Sequence, residues 1–224
     1  WFTFCQLKYA GGNWDPRPGA WTEIRHFIGT TTSIKSRQEK AVLGPGDAAL
    51  FDYPFAILSG DSGFEQFTES EVANLRKYLG GGGMLLIDDA SGLSGYGFDK
   101  SVRREISRIL PDKPFTRVAS GNALFYSFYM MPKPSGARQT STYLEGMEIN
   151  GFLSVIYSKN DLFGAWERNR LGGWLSECVP GGEPQRLQAM KLTVNIFMYA
   201  LTGTYKLDTI HSEYIKKKMQ EWNK

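Results

Sequence analysis

The chain has 224 residues, 42% of them hydrophobic and 14% aromatic, enough to bury one large core without disulfide or metal support. Its 26 Lys and Arg against 23 Asp and Glu leave a net charge of +3, too small and too scattered a surplus for a nucleic-acid surface. No apolar run reaches the ~20 residues of a membrane span.

The chain opens on Trp1 rather than Met, as expected where a signal peptide or membrane anchor has been removed upstream, or where the ends were trimmed. Its two cysteines, Cys5 and Cys178, permit one disulfide at most, and Cys5, in mid-strand, reads as a small buried core residue.

Phe2 to Tyr9 has the aromatic content and partial alternation of a first strand. Gly11 to Gly19 is a loop, because its glycines and prolines forbid regular pairing. Trp21, Ile24, Phe27 and Ile28 fall at helical spacing, and an extended segment is expected over Thr32 to Val42. After the break at Leu43 to Asp47, Tyr53 to Asp61 reads as a short buried strand ending in a polar turn. Thr68 and Glu71 form a capping box ahead of a helix with an apolar stripe at Val72, Leu75, Tyr78 and Leu79, and Gly80 is expected to end it in the left-handed conformation.

The strand Met84 to Ile87 has no polar alternation, as expected for one covered on both faces, and it ends in Asp88 and Asp89. Val102, Ile106, Ile109 and Leu110 mark a helix stopped by Pro111, and Leu124 to Met131 reads as strand. Leu144 to Ile149 and Phe152 to Tyr157 flank Asn150-Gly151, the dipeptide that suits a two-residue hairpin. Phe163 to Gln185 is a long irregular stretch of the kind that forms lids and binding loops. Leu187, Met190, Val194, Phe197 and Leu201 give the last core helix, ended by Gly203, and a basic helical tail is expected over Leu207 to Lys224. The order of elements predicts a single α/β domain over residues 1–206: a mostly parallel sheet between helices, with an added antiparallel hairpin.

In such a sheet, ligands bind beyond the carboxyl ends of the strands. That rule collects Lys8 and Tyr9, Ser59 and Asp61, Asp88 and Asp89, and Ser158, Asn160 and Asp161. Converging carboxylates there suit the hydroxyls of a small polar ligand, or a divalent metal such as Mg²⁺ or Ca²⁺; no other cofactor is expected. The alternative is that these residues cap helices and close turns. Trp14 and Trp166, with Trp21 and Trp174, lie in or beside loops where an indole can stack on a ligand or a partner. The glycines at Gly80 to Gly83 precede a strand instead of following one, and Gly92 to Gly97 lacks a phosphate-binding Lys, so nucleotide binding finds no support.

Phe2-Thr3-Phe4 through Gly11-Gly12-Asn13-Trp14, Phe51 to Phe55, and Arg76 to Leu79 through Asp88-Asp89 resemble an uncharacterised bacterial family of domains of unknown function. So do Leu144-Glu145-Gly146, Val155 to Ser158 with Asn160-Asp161-Leu162, and Val194-Asn195 through Tyr199 to Gly203. That resemblance implies an exported or membrane-anchored protein of the periplasm or cell envelope. More distantly, the helix, glycine run, apolar strand and polar turn resemble the class I glutamine amidotransferase-like superfamily with its trehalose-utilisation branch, which implies a flavodoxin-like three-layer sandwich. Amidotransfer itself is not implied, because the turn Asp88-Asp89-Ala90-Ser91 carries no thiol nucleophile and no His to activate one. The expected role is a non-catalytic or degenerate envelope domain that binds a small polar ligand or a partner protein. The alternative is a carboxylate- or metal-dependent hydrolase of a sugar or cell-wall-like substrate.

Overall fold

The structure, a computed structural model, describes residues 1–131 and 133–206. The expected basic tail, Leu207 to Lys224, lies outside the described residues. Seven strands form one sheet: β1 (Cys5–Leu7), β2 (Ala41–Leu43), β3 (Phe55–Gly60), β4 (Met84–Asp89), β5 (Thr116–Arg117), β6 (Glu145–Ile149) and β7 (Phe152–Ser158). Their spatial order is β2-β1-β3-β4-β7-β6-β5, with β2, β1, β3, β4 and β7 parallel and β6 antiparallel to both its neighbours. Four helices cover it: α1 (Ala20–Thr31), α2 (Glu69–Gly80), α3 (Gly97–Ile109) and α4 (Gly182–Lys206). This is the flavodoxin-like three-layer sandwich.

Side-chain alternation along each strand assigns the core to two sides. Ile57, Leu86 and Ile156 point toward α1 and α4, where they meet Trp21, Ile24, Leu192 and Phe197. Leu58, Ile87 and Val155 point the other way, toward Val72, Leu75 and Leu79 of α2 and Val102 and Ile106 of α3. Both faces are covered, so β3 and β4 are apolar until their last residues, and those last residues reach the rim.

Local signals hold in several places. The Thr68–Glu71 capping box is formed from both sides. Asn150 and Gly151 take φ of 53° and 78°, the turn that sets β6 against β7. Cys5 and Cys178 are buried and unpaired, in the cores on opposite faces of the sheet.

Other expectations are corrected. The left-handed residue after α2 is Gly82 (φ 98°), two positions past Gly80. The extended segment Thr32 to Val42 contracts to β2, preceded by an isolated bridge between Phe2 and Ser36, because its polar middle has nothing to bury. Leu124 to Met131 is not a strand. Asn122 accepts from the Leu124 amide to start a 3₁₀ turn, and Asn195 of α4 then accepts from the amides of Phe128 and Tyr129 that a neighbouring strand would otherwise use.

Candidate functional site

The helix after β1 lies on one face of the sheet and the helix after β3 on the other, so the crevice between those two strand ends is where a ligand would be expected. Here the chain fills it. The loop 10–19 crosses the rim from the end of β1 to the end of β7. Gln6 Nε2 donates to the Trp14 carbonyl (3.0 Å) and to Ser59 Oγ (3.2 Å), and Asn13 Nδ2 donates to Asp61 Oδ2 (2.8 Å). The Tyr9 hydroxyl lies 3.0 Å from the Asn13 carbonyl and 2.9 Å from that of Ser59, either of which takes its proton. Trp14 is half-buried with Lys8 Nζ 5.6 Å from the centre of its ring, while Lys8 and Asp61 remain exposed.

Asp88 and Asp89 are adjacent in β4 and therefore point to opposite faces. Asp89 faces α3. Its Oδ1 accepts from the Ser91 amide (2.8 Å), the Ser91 hydroxyl (2.6 Å) and the Gly92 amide (3.0 Å), and its Oδ2 lies 3.4 Å from the Tyr157 hydroxyl. Tyr157 lies closer to Asp99 of α3 (2.8 Å), which Arg103 pairs with, and Arg103 in turn reaches Glu145. Burial works against the Asp99 charge, yet the Gly95 amide, Arg103 and Tyr157 hold its carboxyl below the ordinary range. This network ties α3 to β4, β6 and β7 and gives both oxygens of Asp99 a donor.

Asp88 faces α1 and α4. It is fully buried, and its two oxygens accept from the amides of Leu162 (2.8 Å) and Phe163 (3.0 Å) at the turn after β7. Burial first, and then the charge of nearby Asp161, push its carboxyl up to about 8, against the pull of those two amides. Asp161 is 1% exposed and stands at φ 52°, a conformation costly for a residue other than glycine. Arg17 of the crossing loop holds it in a two-pronged pair, Nε to Oδ1 at 3.0 Å and Nη2 to Oδ2, and the Gly164 amide donates to Oδ1 (3.1 Å). Gly164 leaves room for this arrangement, since a Cβ there would stand 2.3 Å from Asp161 Oδ2. Glu167 completes the cluster: it accepts from the Gly19 amide at the start of α1 (3.0 Å) and lies 3.7 Å from Arg17.

Among the remaining candidates, Asn160 is buried and serves the chain itself, its Oδ1 accepting from the amides of Thr140 (3.0 Å) and Ser141 (2.8 Å). Ser158 is buried and accepts from the Asn160 amide at 3.3 Å. Trp166 does not face a loop surface; it is 1% exposed, packs edge-on against Phe27 and donates its indole N–H to Thr193 of α4 (2.9 Å). The structure thus brings Asp88 and Asp161 together on one face and sets Asp89 on the other. Lys8, Trp14 and Asp61 stand at the β1 and β3 ends.

A cleft opens at the rim. It lies beside Asp161, has a volume of about 270 Å³, and takes its charged walls from Arg17, Arg138, Asp161 and Glu177. Its frame is backbone: Ala137 and Arg138 donate to the carbonyls of Asp161 and Asn160, and Val179 donates to that of Ala137. A more open hollow of about 580 Å³ beside the first turn of α4 carries Lys133 as its one charged side chain. No group of three or more His, Cys, Asp or Glu among the described residues is arranged to hold a metal ion. Arg17, Arg138, Glu167 and Glu177 escaped the reading of strand ends because none of them follows a strand. The Pro-Arg-Pro run at 16–18, which stiffens the crossing loop around one cation, is a signal that could have singled out Arg17.

Among known protein families, a profile described as a domain of unknown function matches residues 3–201. A comparison with curated proteins finds no match. No helix among the described residues is long and apolar enough to cross a membrane.

Proposed function

The chain belongs to that family, DUF4159, and on this footing we propose that it is a non-catalytic binding domain that holds a small polar ligand in the cleft beside Asp161. One observation carries the reading: the cleft opens at a rim whose β1–β3 crevice the chain itself fills, and its floor is a buried, strained Asp161 locked by Arg17. We place the domain in the bacterial periplasm or cell envelope, following the resemblance to exported proteins, with the ligand or a partner protein reaching it there.

A hydrolase is the second reading. It is favoured by Asp88, whose carboxyl, pushed up to about 8 beside Asp161, suits a general acid. Against it, Asp88 is fully buried and both its oxygens are taken by backbone amides, which is how a cap behaves.

The test is a thermal-shift screen with amino acids, small carboxylates, sugars, divalent cations and cell-wall fragments, repeated on Ser176→Trp, which fills the cleft from its wall. At least one class is expected to raise the Tm of the wild type, with the shift abolished in the variant. Shifts that survive Ser176→Trp would move the site elsewhere. Release of product from a sugar or cell-wall fragment, lost in Asp88→Asn, would instead favour the hydrolase.

A further inference from the structure

Among the described residues no buried side-chain nitrogen or oxygen lacks a hydrogen-bond partner. Asp161 spends both oxygens on Arg17 and Gly164, and Arg17 spends its inward N–H groups on Asp161. A ligand in the cleft therefore meets the remaining polar side chains of its lining, Ser176 and two of opposite charge. Arg138 and Glu177 both line the cleft and are both exposed. Neither side chain makes a hydrogen bond or ion pair with any described residue, although the charge of Arg138 favours the ionised form of Asp161. Their positions are nonetheless fixed, because a parallel bridge joins Arg138 to Val179, two residues beyond Glu177, and the backbone on each side is hydrogen-bonded.

A cleft lined by a guanidinium and a carboxylate that hydrogen-bond to no described residue is complementary to a molecule carrying both charges. We propose that the ligand is a zwitterion the size of an amino acid or dipeptide, its carboxylate on the Arg138 guanidinium and its ammonium on the Glu177 carboxylate. This deepens the binding reading above and rests on it. A planar guanidinium takes a carboxylate in a two-bond fork, and Arg17 beneath offsets part of the charge of Asp161 and Glu167. The volume of about 270 Å³ sits at the small end of ligand sites, which suits one or two residues and is too small for an oligosaccharide or a nucleotide.

The test is titration calorimetry of the full chain with racemic alanine, racemic glutamate and alanyl-alanine. Propionate supplies the carboxylate alone, ethylamine the ammonium alone, and glucose and N-acetylglucosamine stand for neutral polar ligands. At least one zwitterion is expected to bind ten times or more tighter than both propionate and ethylamine. Arg138→Gln and Glu177→Gln should each weaken it at least tenfold, and both are exposed positions at which folding is preserved. Charge reversal adds a second readout: Arg138→Glu alone abolishes binding, and Arg138→Glu with Glu177→Arg restores it at least in part, because a zwitterion can turn end for end. Propionate binding as tightly as alanine, or failure of the reversed pair to rescue, would overturn the proposal. Binding of a neutral sugar alone, lost in Ser176→Trp, would overturn it while leaving the cleft as the site. Absence of binding by every probe would overturn both.

Discussion

The two faces of the rim bury carboxylates of similar kind within one strand of each other and put them to different use. On the α3 face, Asp89 and Asp99 are ringed by Tyr157, Arg103 and the amides of the 91–95 turn. On the α1 and α4 face, Asp88 and Asp161 are equally buried, but Asp161 forms the floor of a cleft, and its cation comes from a loop 144 residues away in sequence. The difference teaches that a buried acid at a strand end is scaffold or site according to where its counter-charge comes from. A neighbour on the same supersecondary unit closes the space, as Arg103 does. A long-range strap such as Arg17 leaves a gap at its side.

That contrast can be broken by removing each cation or acid in turn. Arg17→Met leaves Asp161 buried without its partner and should cost about 3 kcal/mol in urea unfolding, the lower part of the range for a broken buried pair because Arg17 is 21% exposed. A loss no larger than that of an ordinary surface substitution would mean that Asp161 is not held as an ion. Asp99→Ala strips Tyr157 of its acceptor and Arg103 of one partner while Glu145 remains, and should cost about 2 kcal/mol. Its ligand-induced thermal shift should match the wild type; a lost shift would couple the two faces and erase the distinction.

The smallest effect is read from pH. Asp88 keeps its proton in the folded chain where the unfolded chain, near 3.8, has already released it. Its stabilising share is therefore whole below that value and is lost as the pH rises toward about 8. Between pH 6 and pH 7 the wild type should lose up to about 1.4 kcal/mol that Asp88→Asn does not, the limit for one proton. Equal slopes for the two chains would place the Asp88 charge in the folded state at neutral pH.

Much of the architecture was legible because burial on both faces leaves a plain mark: Met84 to Ile87 is apolar throughout, and Thr68, Glu71 and Asn150-Gly151 announce their turns locally. The rim was legible too, since Asp61, Asp88, Asp89 and Asp161 each follow or end a strand. What each acid binds was not. Parity separates Asp88 from Asp89, but nothing local says that a Gly- and Pro-rich loop after β1 will cross the strand ends and spend their hydrogen bonds. Leu124 to Met131 misled for a related reason, as its backbone is claimed by the side chain of Asn195 from a distant helix. Arg138 and Glu177 lie in irregular chain, where composition carries no period to read.

The strap from Arg17 to Asp161 also fixes when the cleft comes into being. Arg17 is made before the rest of the wall it completes, which includes Ala137, Arg138 and Val179, all far later in sequence. A nascent chain halted before Val179 holds a cation with no floor to seat on. The cleft is thus completed only when these distant segments of the fold meet.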